Sequence, residues 1–465
     1  MKKLFLAFIL ISSISLFAQE KAPLITGKVN ISIKEGTIDC DLTLSDIPQL
    51  KDYFIRLNSG MNVLHFRSKK PDDFLIYAHK SWADTTSTGE SLAYYFAGKY
   101  EDKFLPEALQ VKYVGKFPVV NDTIENYSRE DWKGNIAFNH NSVRTDGDQS
   151  AWYPVLYDIE QDKIFDEVRY DIEIVCEDCN TLYINGNVPV KQQSAHFKSD
   201  IPRSMALFCG NYDYSNIDET YILNSEFNDE QIKEFSSLIN GYKKFYEAKL
   251  DIPYEQPPVF INTTPTSSYN SWMFVSYPTI MSIGWKNGLK NIIDPEYQNF
   301  YRPSIAHELG HFYFGTYKTF NSELGDMMSE GFAEYLALQQ TKNNIGQDIY
   351  ELMLNKKIEN LEYLKKKVVP FGKIKSHSEY LNRELYVYNY APLIFTAIEK
   401  EIGEEQMWQW LKTLLKTETA YTNYDFLTST LKATLHNDEL FQNIKRSYFE
   451  SKKSIENAEK RITKK

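Results

Sequence analysis

Cysteine is scarce in this chain, with 4 residues among 465, and the sequence does not reveal how they pair. Cys176 and Cys179 form a C-x-x-C pair, but no second pair of ligands lies near them to complete a structural zinc site. Cys40 and Cys209 raise the count to an even number, which permits two disulfides in an oxidising compartment. We therefore expect a structural disulfide or buried thiols, with the pairing open.

Positive charge is also in short supply. The chain carries 52 Lys and Arg against 63 Asp and Glu, a formal net charge of −11 at pH 7. It has no basic stripe that could neutralise the phosphates of a nucleic acid, so we expect no partner of that class. Apolar residues make up 42% of the chain, enough for full hydrophobic cores, and a length of 465 residues predicts two or three domains.

Long apolar runs are absent beyond the N-terminus, where the sequence predicts a secretory signal peptide. Lys2 and Lys3 precede an apolar stretch over residues 4–11, and the small residue Ala18 follows at the expected cleavage point. The stretch is shorter than the ~20 residues that a membrane span requires. We expect residues 1–18 to be removed, which leaves a secreted or periplasmic protein without a membrane anchor. Its oligomeric state stays open.

The hydrophobic pattern changes from strands to helices near residue 222. In the first part, two stretches alternate apolar and polar residues, as the strands of an antiparallel sheet do. These apolar residues are Ile38, Cys40, Leu42 and Leu44, and Val168, Tyr170, Ile172 and Ile174. Asn228 can cap a helix, and from Pro303 onward nearly the whole pattern is helical. We expect an antiparallel β domain over residues 19–222 and an α+β domain ending in helices over residues 223–465.

The pentapeptide HELGH at residues 307–311 predicts a metal site. Two histidines four apart stand on one face of a helix, so His307 and His311 can hold one ion. Glu308 lies about 100° round the helix from His307 and therefore beside the ion. A carboxylate there can take a proton from a water at the metal. Chance would give this pattern only about 0.01 times in a chain of such composition.

Glu330 completes the ligand set. It lies nineteen residues beyond His311, and two histidines with a glutamate form a catalytic zinc site whose fourth position is left for water or substrate. The pattern therefore predicts one Zn²⁺ per chain. Glu334 follows one helical turn later and can accept the free ring N–H of His307, a contact that metal-bound histidines usually make. The alternative for Glu334 is a solvated carboxylate on the helix surface.

The spacing H-E-x-x-H, eighteen residues and then E-G-F-A resembles the membrane alanyl aminopeptidase family of gluzincin zinc metallopeptidases. The resemblance implies a β-saddle or β-sandwich domain, followed by a thermolysin-like catalytic domain. It also implies that His307, His311 and Glu330 bind zinc and that Glu308 is the general base.

A tyrosine in the family stabilises the oxyanion of the reaction, and it belongs to a Y-x-K-G run. The chain reads Tyr-Asn-Tyr-Ala at residues 388–391, so the resemblance gives this role to Tyr388, while the Lys and Gly of the run are missing. Tyr386 and Tyr390 are close competitors, since the chain holds 33 tyrosines. The role requires a hydrogen-bond donor beside the substrate carbonyl.

Two departures from the family bear on specificity. The family has a G-x-M-E-N signature before the zinc helix, and its glutamate binds the free amine of the substrate. This chain reads Ser-Trp-Met-Phe-Val at residues 271–275, with Met273 in place and Phe274 where the glutamate belongs. We also expect no counterpart to the later C-terminal domains of the family.

These patterns together predict an aminopeptidase-like zinc hydrolase that cleaves peptide or protein substrates. One alternative is a zinc endopeptidase with altered recognition of the N-terminus. Another is a catalytically weak binding module in which zinc only stabilises the fold. The presence of Glu308 argues against the binding module, because a structural zinc usually has four protein ligands and needs no base.

Overall fold

The computed structural model describes residues 21–68, 75–77, 90–96, 104–120, 136–147, 149–218, 220–263, 272–285 and 287–464. The predicted signal peptide lies outside the described residues, as does Ser271 at the start of the Ser-Trp-Met-Phe-Val stretch. Among the helices that are described, none is long and apolar enough to cross a membrane.

Three sheets make up the N-terminal part and share one hydrophobic core. Their strands are β1 (Leu24–Ser32), β2 (Thr37–Ser45), β3 (Tyr53–Asn58), β4 (Met61–Arg67), β5 (Leu75–Tyr77), β6 (Ser91–Phe96), β7 (Leu109–Lys116), β8 (Val119–Val120), β9 (Ile136–Asn139), β10 (Ser142–Thr145), β11 (Val155–Asp158), β12 (Lys163–Phe165), β13 (Val168–Cys176), β14 (Thr181–Ile184), β15 (Ser194–Arg203) and β16 (Leu207–Gly210).

The six-stranded sheet has the order β15-β13-β1-β2-β7-β4, and two five-stranded sheets have the orders β14-β16-β10-β9-β8 and β12-β11-β3-β6-β5. Both alternating stretches of the sequence form strands, since β2 and β13 bury every second residue. The expectation of purely antiparallel pairing needs a correction. β1 pairs with β13 in parallel, and so does β8 with β9, because these partners are distant in sequence and not joined by hairpins.

A fourth sheet opens the C-terminal part, in the order β17-β18-β19-β21-β20. Its strands are β17 (Tyr214–Ile217), β18 (Thr220–Leu223), β19 (Val259–Thr263), β20 (Trp272–Ser276) and β21 (Thr279–Ile283). β17 pairs with β18, and β18 pairs with β19, so this sheet starts at Tyr214. That is ahead of the boundary at residue 222, where the hydrophobic pattern changes from strands to helices. β20 lies at the edge of this sheet, so one side of its backbone pairs with no other described strand.

Helices form most of the remainder. They are α1 (Asp229–Leu250), α2 (Gln298–Gly310), α3 (Gly325–Asn344), α4 (Gln347–Asn360), α5 (Arg383–Leu385), α6 (Ala391–Ile402), α7 (Glu404–Lys416), α8 (Tyr424–Leu435), α9 (Asp438–Ile444) and α10 (Ser454–Thr463). A wide π-helical turn, Tyr386–Tyr390, joins α5 to α6. The predicted cap of α1 is confirmed, because the Asn228 side chain accepts the backbone N–H of Gln231 at 2.9 Å.

Both expected states of the cysteines occur. Cys176 and Cys179 are joined by a disulfide, whereas Cys40 and Cys209 are buried free thiols. Burial raises the pKa of the Cys40 thiol to about 12 and that of Cys209 still further above its usual value. The two free cysteines therefore stay protonated and serve as core residues.

A cluster of aromatic rings supports α3 from behind. The Phe332 ring stacks on Phe395 with centroids 4.0 Å apart and lies 4.8 Å from the Phe314 ring. Trp410 meets it edge-on at 5.7 Å. Phe332 is fully buried, and it lies two residues after Glu330 in α3. Its packing therefore fixes the helix that carries the third predicted metal ligand.

We expect Phe332→Ala to lower the free energy of unfolding of the C-terminal part by about 3–5 kcal/mol, because it empties a fully enclosed aromatic site. Chemical denaturation followed by tryptophan fluorescence measures the loss. Tyr421→Ala is the control, since that ring is 67% exposed and its removal should change stability by at most about 0.5 kcal/mol. Equal stability of the two variants would contradict this account of the core.

Candidate metal centre

Two packed helices bring the three predicted ligands together. His307 lies in the last turn of α2, and His311 caps the C-terminal end of that helix. Their Nε2 atoms are 3.0 Å apart. From α3, Glu330 places its Oε2 atom 3.2 Å from Nε2 of His307 and 3.3 Å from Nε2 of His311. The three ligand atoms thus form a small, nearly equilateral triangle.

Glycines allow α3 to lie this close to its neighbours. A Cβ atom added at Gly310 of α2 would lie 3.2 Å from the Cα atom of Ala333 in α3. On another side of α3, a Cβ at Gly331 would come within 2.6 Å of the Cβ of Ala391. A larger residue at either glycine would push the helices apart and separate the ligands.

Hydrogen bonds on the outer side of each ring point the Nε2 lone pairs inward. Nδ1 of His307 lies 2.8 Å from Oε2 of Glu334, and a carboxylate only accepts, so Nδ1 carries the proton. Nδ1 of His311 lies 3.3 Å from the carbonyl oxygen of Phe314, which also only accepts. With each ring in its neutral form, both Nε2 atoms hold lone pairs that face each other and the Glu330 carboxylate. Such a convergence requires positive charge between these atoms, which either a proton or a metal cation supplies.

The pKa shifts of His307 and Glu334 also indicate that the pocket stabilises positive charge. Burial lowers the pKa of His307, but its hydrogen bonds to Glu330 and Glu334 outweigh that effect and raise the pKa well above its usual value. Burial likewise raises the pKa of Glu334, but the Lys357 ammonium and His307 bring it down to about 2. Glu334 is therefore ionised at neutral pH.

The spacing of the ligand atoms fits Zn²⁺. Zinc binds histidine nitrogen and carboxylate oxygen at about 2.0–2.2 Å, so two ligands of a tetrahedral site lie roughly 3.3–3.5 Å apart. The separations here, from 3.0 to 3.3 Å, are close to that value. Two imidazoles and one carboxylate are also the ligand set of catalytic zinc sites, in which the fourth position stays open.

Glu308 stands beside this triangle and is not part of it. It is only 7% exposed, and its carboxylate makes no hydrogen bond to any described residue. Burial raises its pKa to about 7, against the lowering effect of His307 and His311. A carboxylate with a pKa near neutrality can both take up and return a proton.

The π-helical turn presents one of the three candidate tyrosines to the site. The Tyr388 ring lies 5.7 Å from the His307 ring. Tyr386 and Tyr390 instead point into the core, where their hydroxyls bond to a backbone N–H at 2.8 Å and to Ser454 Oγ at 2.9 Å. Burial raises the pKa of Tyr388 above its usual value, so its hydroxyl stays a donor at neutral pH.

A buried lysine that the sequence analysis missed links two parts of the site. Lys357, from α4, donates to Oε1 of Glu334 at 2.5 Å and to the carbonyl oxygen of Tyr388 at 2.8 Å. It is 7% exposed. The lysine therefore connects the carboxylate that orients His307 with the backbone that carries Tyr388. No local pattern distinguishes it, because both contacts are distant in sequence.

Arg383 supports the remaining ligand. It binds Asp326 through two nitrogens, each at 2.6 Å, and it donates to Oε1 of Glu330 at 3.2 Å. The planar guanidinium suits such forked contacts. Here the sequence does carry a signal, because Asp326, Glu330 and Glu334 are spaced four apart and so share one face of α3.

Two cavities of about 360 Å³ and 1240 Å³ open at the metal centre. Both are lined by Gln149, Met273, Phe274, His307, Glu308, Glu330 and Tyr388. The smaller cavity continues along β20 past Phe274 to Tyr277 and reaches Glu167 and Arg203 of the N-terminal part. The larger cavity runs between α2 and α4, where Phe300 and Leu352 are exposed. The edge strand thus forms a wall of both cavities.

Comparisons with known proteins identify the fold. Neither a scan of protein families nor a search of curated proteins finds a match. Among solved structures, the M1 zinc metallopeptidase from Deinococcus radiodurans matches with a TM-score of 0.59 and 12% identity over 93% of each chain. A mutant of that protein bound to a Tyr-Ser-Ala substrate gives 0.58 and 12% over 92% of this chain and 93% of that one.

Yeast LTA4 hydrolase in complex with bestatin matches with a TM-score of 0.60 and 11% identity. That match covers 90% of this chain but 65% of the hydrolase, so about a third of the hydrolase lies outside the match. The chain therefore has the fold of these metallopeptidases over most of its length. At this coarse level the fold that the sequence resemblance implied is confirmed.

We expect Lys357→Met to weaken Zn²⁺ binding by about 10- to 100-fold, because Glu334 would lose the buried cation that holds it against His307. Competition between the metal-free protein and a chromogenic chelator measures the affinity. His307→Ala should remove binding at the site altogether. Lys432→Met, at an exposed lysine outside both cavities, is the matched control and should bind like the parent. Parental affinity in Lys357→Met would show that the lysine has no part in holding the site.

Proposed function

We propose that the chain is a zinc-dependent peptidase, secreted or periplasmic, that hydrolyses peptide bonds in peptide or protein substrates. The observation that carries this proposal is a group of three converging side chains that could hold a cation, beside which stands the Glu308 carboxylate, with no hydrogen bond to any described residue. An ion with a purely structural role would have a fourth protein ligand and no such base. The likeness to solved metallopeptidases supports the same assignment, and the resemblance in sequence adds that the C-terminal part is thermolysin-like.

A Zn²⁺ ion held by His307, His311 and Glu330 would lower the pKa of a water to about 7 and polarise the scissile carbonyl. Glu308 takes the proton as the water oxygen attacks the carbonyl carbon, and then delivers it to the leaving amine. Tyr388 donates a hydrogen bond to the oxyanion, and its raised pKa keeps the proton on the hydroxyl.

The wall of the cavity favours an enzyme that does not require a free substrate N-terminus. Phe274 lies on the edge strand at the position where the resemblance calls for an amine-binding glutamate, and it lines both cavities. A phenyl ring offers an ammonium group at most a weak cation–π contact. Because the smaller cavity continues beyond Phe274, a peptide can extend past the place where an aminopeptidase substrate would end. We propose endopeptidase-like specificity on an aminopeptidase-like scaffold.

The Glu308→Gln variant should lose peptide hydrolysis by about 10²–10⁴-fold, since glutamine keeps the shape of the side chain but cannot take the proton. The rate is measured with a quenched fluorescent peptide. Zinc content by elemental analysis and the circular dichroism spectrum should match those of the parent, because Glu308 is not among the ligands. Hydrolysis at the parental rate would refute the role of Glu308.

The preference for a free N-terminus is tested with three substrates. They are an alanyl or leucyl arylamide, its N-acetylated form, and an internally quenched peptide blocked at both ends. We expect kcat/KM for the blocked peptide to equal or exceed that for the free arylamide, because no carboxylate stands at the position of Phe274.

A free-amine preference of a hundredfold or more would be the size expected from a desolvated charge pair, about 3 kcal/mol, and would restore an ordinary aminopeptidase. In that case, the same comparison made with Glu167→Gln shows whether Glu167, which lines the smaller cavity, supplies the preference.

A further inference from the structure

Arg203 is a buried arginine that lies in the wall of the smaller cavity. It ends β15, is 8% exposed, and lines this cavity together with Phe274 and Tyr277. Its guanidinium carbon lies 5.4 Å from the centroid of the Tyr277 ring, and Nη2 donates to the side-chain oxygen of Gln256 at 3.0 Å. These contacts hold the guanidinium where the N-terminal sheets meet the turn after β20.

The guanidinium forms no ion pair with any described residue. Among the described residues, no carboxylate oxygen lies within 4.0 Å of it, and the bond to Gln256 is its single side-chain hydrogen bond. An arginine has five N–H donors, so most of them have no protein acceptor. None of its nitrogens is sealed away from solvent without a partner, and the free donors therefore face the open cavity.

Glu167, an acid that lines the same cavity, interacts with the arginine only at a distance longer than an ion pair. Burial raises the pKa of Glu167 and Asp166 raises it further, whereas Arg203 lowers it. Although the residue as a whole is exposed, its carboxylate is partly desolvated, and it forms no ion pair with Arg203 within 4.0 Å. A buried guanidinium without a counter-ion is unfavourable, and an incoming carboxylate would remove that penalty.

The position of Arg203 relative to the scissile bond follows from the edge strand. Tyr277 lies three residues beyond Phe274, a distance of roughly 10 Å at about 3.3 Å per residue. The resemblance places the first amino group of an aminopeptidase substrate at Phe274. Residues on the amino-terminal side of the scissile bond therefore occupy the cavity beyond it.

We propose that Arg203 binds the side-chain carboxylate of an Asp or Glu two to four residues on the amino-terminal side of the scissile bond. The inference rests on the proposed peptidase function and names its substrate class as acidic peptide segments. The planar fork of a guanidinium binds both oxygens of a carboxylate at once. Arg203 is thus a specificity residue of the N-terminal part, acting on a reaction that takes place in the C-terminal part.

The test uses internally quenched decapeptides that are blocked at both ends and carry one Glu, or its isostere Gln, at each of these positions. Mass spectrometry maps the cleaved bond. At one or more positions, kcat/KM of the parent should be about tenfold higher for Glu than for Gln, the size of a hydrogen bond to a charged group.

Three variants and one control isolate the arginine. Arg203→Gln should bring the Glu/Gln ratio close to one, and Arg203→Lys should give an intermediate ratio because it keeps the charge without the fork. Glu167→Gln should raise the ratio, since a competing carboxylate is removed. Arg446→Gln is the matched control, because that exposed arginine bonds only within its own segment among the described residues, and the parental ratio should persist.

A second readout keeps this inference separate from the proposed function. The Glu308→Gln variant binds the same peptides without turnover. Fluorescence anisotropy should show that it binds Glu peptides more tightly than Gln peptides, and adding Arg203→Gln should abolish this difference. If the parent cleaves no peptide, the proposed function fails. The ratio of the affinities for Glu and Gln peptides then decides alone whether Arg203 binds the carboxylate. Equal affinity for Glu and Gln peptides, or a ratio that survives Arg203→Gln, overturns the inference. If Arg203→Gln does not fold, the other two variants decide. A lower Glu/Gln ratio in Arg203→Lys together with a higher ratio in Glu167→Gln supports the inference, and unchanged ratios in both overturn it.

Discussion

The contact between Lys357 and Glu334 is the interaction on which the site depends. Four carboxylates and two cations lie together here: Glu308, Asp326, Glu330 and Glu334, with Lys357 and Arg383. With all of them ionised, four negative and two positive charges leave −2, which one Zn²⁺ would neutralise. Without Lys357 the excess would grow, and Glu334 would lose the ion pair that holds it against His307. The site is therefore assembled as a charge-compensated group, in which the carboxylates of Asp326, Glu330 and Glu334 each contact a neighbouring cation or histidine.

The same lysine links the candidate metal centre to Tyr388, the residue proposed to stabilise the oxyanion. Its ammonium also binds the carbonyl oxygen of Tyr388, inside the π-helical turn, where the wide winding leaves backbone groups free for such partners. The Tyr386 and Tyr390 side chains, which flank Tyr388, are fixed in the core. The turn therefore has two anchored tyrosines and presents the third to the site. A shift of α4 would move Glu334 and Tyr388 together, so the two groups keep their relative positions.

Local patterns in the sequence predicted which candidate ligands lie together, because most of these residues are placed by helical spacing. The spacing of four in α2 placed His307 and His311, and the same spacing in α3 placed Glu334 against His307. Lys357 and Arg203 left no such trace, since their partners come from other elements and only the packing of the chain brings them together. The order of the strands was equally hidden: the parallel pairing of β1 with β13 joins segments separated by more than a hundred residues.

The cleft joins two parts of the chain, and Asn185 fixes their relation at its wall. Fully buried in the N-terminal part, Asn185 donates to the hydroxyl of Ser276 at 3.1 Å and the carbonyl of Tyr277 at 3.2 Å, and accepts from Thr279 at 2.7 Å. These bonds pin the turn between β20 and β21, and Arg203 rests against the Tyr277 ring of that turn. Because the turn continues directly from the strand that carries Phe274, the arginine is held at a fixed distance from the metal centre. The edge strand lacks a carboxylate at Phe274, and beyond it the neighbouring sheets present a charge of the opposite sign, the Arg203 guanidinium, which we propose a longer peptide chain reaches.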